Sequence, residues 1–141
     1  MTVDDIVVTT QNVIHHGSGS IYHGIKSSDS SFCSFGELYF SRILYGHVKG
    51  WKFHKLMTLN LLVPYGQVKF VFIDSSANHK SFILGHNNYC RLTVPPTLWF
   101  AFQGLYQEYS IVSNVASIEH DPSEQLRLPL DSFTYDWTLP I

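Results

Sequence analysis

Charge is scarce in this sequence. Asp, Glu, Lys and Arg make up 14% of its 141 residues, and the formal net charge is −2. Such a chain presents no basic field to duplex nucleic acid, so a nucleic-acid partner is not expected. Cysteine is almost missing. Cys33 and Cys90 are far apart and form no CxxC pair, which reads as reduced thiols of a cytoplasmic protein. Apolar runs stop at about six to eight residues, too short to cross a bilayer. The opening Met1-Thr2-Val3-Asp4-Asp5 carries no basic stretch followed by an apolar one, so neither a signal peptide nor a membrane partner is expected. Long helical periodicity is also missing, and one short turn over 31–35 is the most helix the pattern supports. No linker, repeat or low-complexity tract divides the chain, which therefore reads as a single domain over 1–141.

What the chain has is apolar and aromatic surface. Hydrophobic residues reach 45% and aromatic residues 15%, with 10 Phe, 8 Tyr and 3 Trp. That composition suits strands, where flat rings pack against neighbours. Short runs closed by Gly, Pro, Asn or Ser predict strands over 6–10, 20–26, 37–44, 48–54, 59–63, 67–74, 81–84, 91–94, 98–103 and 109–116. Pro64-Tyr65-Gly66 reads as a tight turn in which Gly66 takes positive φ. Strands at this spacing argue for an all-β sandwich or barrel. From about 121 to 141 the pattern changes to an irregular arm carrying Pro122, Pro129 and Pro140. Such an arm needs Tyr135 and Trp137 as buried anchors.

The chemistry concentrates in Lys49-Gly50-Trp51-Lys52-Phe53-His54-Lys55. On a strand, Lys52 and His54 share one face while Trp51 and Phe53 share the other. A histidine titrating near neutrality suits a general base. Lys52 can stabilise a developing oxyanion as a cation, or serve as the base if desolvation depresses its pKa. A solvated basic edge with one incidental histidine is the plainer alternative.

The spacing around this segment carries a resemblance. Gly46, five residues, Lys52-x-His54, four residues, Leu59, six residues and Gly66 resemble the first cupin motif, which has histidines at both central positions and glutamate in place of Leu59. Val94 to Gly104 resembles the second motif, with Thr97 for its glycine, Phe100 for its histidine and Gly104 for its asparagine. Of the usual ligands His54 alone is left, and one imidazole does not hold a catalytic metal, so none is expected. Gly46 to Lys55 also resembles the Gly-Val-Val-Lys-Gly-Trp-His-Tyr-His-Lys segment of proteins related to dTDP-4-dehydrorhamnose 3,5-epimerase. It is similar as well to the Arg-Gly-x-His-Ala-His-Lys segment of dTDP-sugar 3,4-ketoisomerases. Phe35-Gly36-Glu37-Leu38-Tyr39, Thr58-Leu59-Asn60, Val94-Pro95-Pro96, Arg127-Leu128-Pro129 and Tyr135-Asp136-Trp137 extend the likeness over Gly17 to Trp137.

The resemblance implies an RmlC-like jelly-roll cupin barrel with an irregular C-terminal arm. It further implies a homodimer, no cofactor, and a nucleotide-linked 4-keto-6-deoxy sugar as substrate, in deoxysugar or surface-glycan biosynthesis. The ketone acidifies the neighbouring C–H bonds, and an isomerase or epimerase moves one of those protons. His54 is then the expected base and Lys52 its electrostatic partner. His120, beside Asp121, lies near the position of the family's opposing acid. Lys49, Lys55, Arg42 and Arg91 are the candidates for the phosphates. Glu37 and Asn60 are candidates for sugar hydroxyls, and Trp99 for stacking. Lys52 stands where the epimerases keep their base histidine. A non-catalytic sugar-nucleotide binder is therefore the competing expectation, and a sensor for another small ligand a further one.

Overall fold

In Glu37–Leu44 exposure alternates residue by residue: Tyr39, Ser41 and Ile43 turn inward, while Leu38, Phe40, Arg42 and Leu44 turn out. Val68, Phe70 and Phe72 likewise share the inner face of their strand. The computed structural model describes residues 1–139, and in it such segments form β1 (Val7–Thr10), β2 (Val13–Ile14), β3 (Ile21–Tyr22), β4 (Glu37–Leu44), β5 (Val48–His54), β6 (Leu59–Tyr65), β7 (Gln67–Ile73), β8 (His79–Gly85), β9 (Cys90–Val94), β10 (Trp99–Gly104), β11 (Tyr109–Ala116) and β12 (Gln125–Arg127).

The strands make two five-stranded antiparallel sheets, ordered β1-β9-β6-β11-β4 and β12-β5-β10-β7-β8, plus the small β2-β3 hairpin. From β4 onward the chain changes sheet at each connection except the β7-β8 hairpin, which is jelly-roll topology. The inner faces meet in one apolar core that includes Ile43, Leu59, Leu61, Val68, Phe70, Phe72, Leu92, Phe100 and Val112. This is the all-β cupin architecture expected from the sequence.

The central strands of the second sheet are buried on both faces, which explains the apolar runs of β7 and β10. Its outer face carries Trp51, Val71, Ile73 and Ala101, and Phe133, Tyr135 and Trp137 of the arm pack over it. Trp51 anchors that layer: its indole N–H donates to the Leu130 carbonyl at 2.9 Å, and its ring meets Phe133 edge-on at 5.1 Å.

Several expectations need correction. The arm is less irregular than its prolines suggest, because β12 pairs with β5 through Gln125↔His54, Leu126↔Phe53 and Arg127↔Lys52. Short 3-10 turns at Pro122–Glu124 and Leu130–Ser132 flank it. Its last positions, Pro140 and Ile141, lie outside the described residues. Residues 31–35 form no helix, and the strand expected over 20–26 shrinks to Ile21–Tyr22. The expected tight turn at Pro64-Tyr65-Gly66 narrows to Gly66, since β6 runs through Tyr65, and it makes a corner between the two sheets with Gly66 at φ +92°. A Cβ there would stand 2.2 Å from Ser110 Oγ, so the corner requires glycine. Among the described residues no helix is long and apolar enough to cross a membrane.

Candidate active site

Between the sheets lies a cavity of about 360 Å³. The inward faces of β4, β5, β6, β7, β10, β11 and β12 all contribute to it. Phe70, fully buried, forms its floor with Leu59, Leu61 and Phe102. Lys49 and Arg127 are exposed and mark its mouth, and Lys52 is half-buried below them. The described lining thus holds three basic side chains and no carboxylate. Tyr39, Ser41 and Asn114 supply its other polar side chains. Asn114 Nδ2 donates to the Tyr39 hydroxyl at 3.0 Å. Burial pushes the Tyr39 phenol above its ordinary pKa, with Asn114 opposing and the charges of Glu37 and Glu124 adding to the rise. Tyr39 therefore stays protonated near neutrality.

Lys52 and Lys49 share the cavity wall because a bulge at Trp51 interrupts the alternation of β5 and pairs both lysines with the inward Phe100 and Phe102 of β10, while Trp51 and Phe53 turn to the outer face. Gly50 precedes the bulge where β5 presses against β10: a Cβ at Gly50 would lie 2.3 Å from the Ala101 Cβ. Arg127 is the register partner of Lys52 on β12, and Phe100 is its partner on β10. Burial lowers the Lys52 pKa, and the neighbouring Arg127 charge lowers it further while Glu124 partly restores it.

His54 lies on the same face but does not line the cavity. It is 3% exposed, and its ring stacks on Phe100 with centroids 5.9 Å apart. Its Nδ1 pairs with Glu124 Oε1, while Glu124 Oε2 accepts the main-chain N–H groups of Leu56 at 3.2 Å and Met57 at 3.3 Å. Desolvation lowers the His54 pKa against the pull of Glu124, so the imidazole is neutral and donates from Nδ1. Burial works to raise the Glu124 pKa, but His54 and the two N–H donors hold it below the ordinary value. Glu124 is thus an anion at neutral pH. Nε2 of His54 is buried without a partner, an omission that costs roughly 1–3 kcal/mol.

Of the other residues singled out from the sequence, Lys49 alone joins the cavity. Its Nζ donates to the Arg42 carbonyl at 2.7 Å. Arg42 points outward, with its guanidinium 4.5 Å above the Tyr109 ring. Arg91 is fully buried on the far side of the first sheet. It donates from Nη1 to the Gly24 carbonyl at 2.8 Å and from Nη2 to Ser31 Oγ at 2.6 Å. Asn60 is committed to Asn114, Ser31 and Thr93. Trp99 faces outward onto Phe53 at 5.1 Å and Phe133 at 5.9 Å. Glu37 accepts the main-chain N–H of His120 at 2.9 Å, and the His120 side chain is exposed. Asp121 caps the following turn through Ser123. Lys55 Nζ reaches only the Ser123 carbonyl, at 3.3 Å. The structure brings none of these residues to the cavity.

Tyr39, Ser41, Asn114, Glu124 and Arg127 were not foreseen as site residues. The Arg127-Leu128-Pro129 and Tyr39 motifs were visible in the sequence, and their order there was the one available signal. Among the described residues, no three His, Cys, Asp or Glu side chains converge as metal ligands would.

No protein-family model and no curated protein matches the chain. Solved structures do. A dTDP sugar isomerase from Desulfovibrio desulfuricans is 30% identical with a TM-score of 0.92, over 96% of this chain and 92% of its own. A dTDP-4-dehydrorhamnose 3,5-epimerase from Sulfolobus tokodaii is 22% identical with a TM-score of 0.81, over 92% and 80%. A sugar 3,4-ketoisomerase from Thermoanaerobacterium thermosaccharolyticum, solved with TDP, is 17% identical with a TM-score of 0.77, over 92% and 91%. The latter two likenesses speak for the fold alone.

Proposed function

Because the chain belongs to the RmlC-like cupin family of dTDP-sugar isomerases, we propose that it isomerises or epimerises a dTDP-linked keto-deoxysugar by moving a proton on a carbon beside the keto group. The observation that carries this reading is the cavity lining: three basic side chains without a carboxylate, set over an apolar floor. Lys49 and Arg127 at the mouth suit the diphosphate, where charge-assisted hydrogen bonds are strong. Leu59, Leu61, Phe70 and Phe102 suit the methyl group of a 6-deoxy sugar. Tyr39 can donate to the keto oxygen as charge develops on it.

Three further statements belong to this reading. The unpaired Cys33 and Cys90 fit the cytoplasm. The reaction fits the supply of a deoxysugar for a surface glycan. A homodimer fits the β4 edge of the first sheet, which leaves Phe40 64% and Leu38 48% exposed beside Phe35 at 65%.

Incubation with dTDP-4-keto-6-deoxyglucose in deuterated water, followed by mass spectrometry of the recovered sugar nucleotide, tests the proposal. Deuterium uptake above a heat-denatured control is expected. Absence of uptake across a panel of dTDP-keto sugars rejects it.

A further inference from the structure

We infer that Lys52 is the catalytic group that moves the substrate proton, acting as a neutral amine, while His54 is a positioning residue. This rests on the isomerase reading above. Access comes first. Lys52 lines the cavity, whereas His54 is sealed behind Phe100, its Nδ1 is committed to Glu124, and its Nε2 has no exposed surface. The His54–Glu124 pair does have a visible task. Glu124 holds His54 and the Leu56 and Met57 N–H groups together, and the Lys55 N–H donates to its carbonyl at 2.8 Å. These bonds pin the start of β12 to β5 and so place Arg127 beside Lys52.

The surroundings of Lys52 disfavour its proton. Among the described residues its Nζ has no hydrogen-bond acceptor and no ion-pair partner. Arg127 and Lys49 share its wall, Tyr39 faces it as a neutral phenol, and neutral His54 follows it on β5. The one nearby carboxylate, Glu124, is occupied by His54 and two N–H groups. A lysine desolvated beside another cation is a recognised way to obtain a neutral amine near physiological pH, and the downward pKa direction agrees.

The step balances without a co-reactant. The amine lone pair takes the proton from the carbon beside the ketone. The C–H electrons form the C=C bond, and the C=O π electrons move to the oxygen, which becomes an enolate stabilised by Tyr39. The resulting ammonium returns the proton. Returned on the same face to the former carbonyl carbon, while the neighbouring hydroxyl passes its proton to the enolate oxygen, it shifts the ketone by one position. Inversion of the same carbon instead takes its proton from water on the opposite face, and the ammonium then loses its own to solvent.

Lys52→Arg keeps a long basic side chain but stays protonated, which removes the proton-accepting lone pair. We expect deuterium exchange to fall by about a hundredfold or more, with loss of the ascending limb of its pH profile. Lys52→His should restore part of the exchange, with the limb moved toward acid. Carbon-13 methylation of the lysines followed by NMR titration reads the group without substrate: Lys52 should titrate below the ordinary lysine value of 10.5. Folding of each variant is checked by near-ultraviolet circular dichroism. Exchange by Lys52→Arg within about tenfold of wild type, with the limb intact, overturns the inference and leaves the isomerase reading standing. So does a Lys52 titration at or above that ordinary value. If wild type itself exchanges nothing, both fall.

Discussion

Arg91→Met should destabilise the protein while leaving its affinity for dTDP almost unchanged. The guanidinium is fully buried and holds the loop that crosses the first sheet, through the Gly24 carbonyl and Ser31 Oγ. Its contact with Asp29 at 3.2 Å is partly exposed and adds little. A hydrogen bond to a charged group contributes roughly 1.5–3 kcal/mol, so loss of two gives about 3–6 kcal/mol. Methionine fills most of the vacated volume and limits any cavity penalty. For a domain of this size the cost corresponds to a fall in Tm of about 10–20 °C. Urea unfolding followed by tryptophan fluorescence gives the stability, and calorimetric titration with dTDP gives the affinity. The reasoning is refuted if the urea midpoint hardly moves while dTDP binding weakens tenfold or more. That result would return Arg91 to the phosphate role its charge suggested.

Other perturbations test other contacts. Arg127→Ala, at the cavity mouth, should weaken dTDP binding about tenfold and reduce its salt dependence; unchanged affinity would remove the arm from the site. Glu124→Gln should cost about 2 kcal/mol and speed hydrogen exchange at the Trp51 and Leu128 N–H groups, which pair across β5 and the arm at 3.1 Å; equal exchange would show that the clasp is idle. Acidification gives a signed test. The folded-state His54 pKa lies below its ordinary 6.5, so the unfolded chain binds the proton first and stability must fall as pH drops below that value. The urea midpoint should decline from pH 7 to pH 5.5, and His54→Gln should flatten the slope; an equal slope in the variant refutes this assignment.

Much of the fold is legible in the sequence because its strands alternate cleanly. The bounds of Glu37–Leu44, Val48–His54 and Tyr109–Ala116 follow from the residues alone. Gln125–Arg127 could not be read in this way. Three residues carry no period, and they become a strand through partners that Glu124 brings to β5. The site divides along the same line. Alternation on β5 identifies Lys52, but the cavity joins side chains from seven strands, and sequence spacing is silent on which strands face each other. Arg91 shows the converse difficulty. A cation in a strand suggests an anionic ligand, and the loop carbonyl and hydroxyl that satisfy it lie about sixty residues earlier. Trp99 misleads for a related reason: within an unbroken aromatic run nothing marks which face the arm will cover.

Turnover of the sugar nucleotide is the claim on which the account depends. Proton NMR of dTDP-4-keto-6-deoxyglucose in deuterated water, with this protein added, tests it most directly. The signal of a proton beside the keto group should decay at a rate proportional to protein concentration, while the nucleotide signals persist. A signal that stays constant while the ligand raises the protein's Tm would contradict the account and identify a binder that does no chemistry on the sugar.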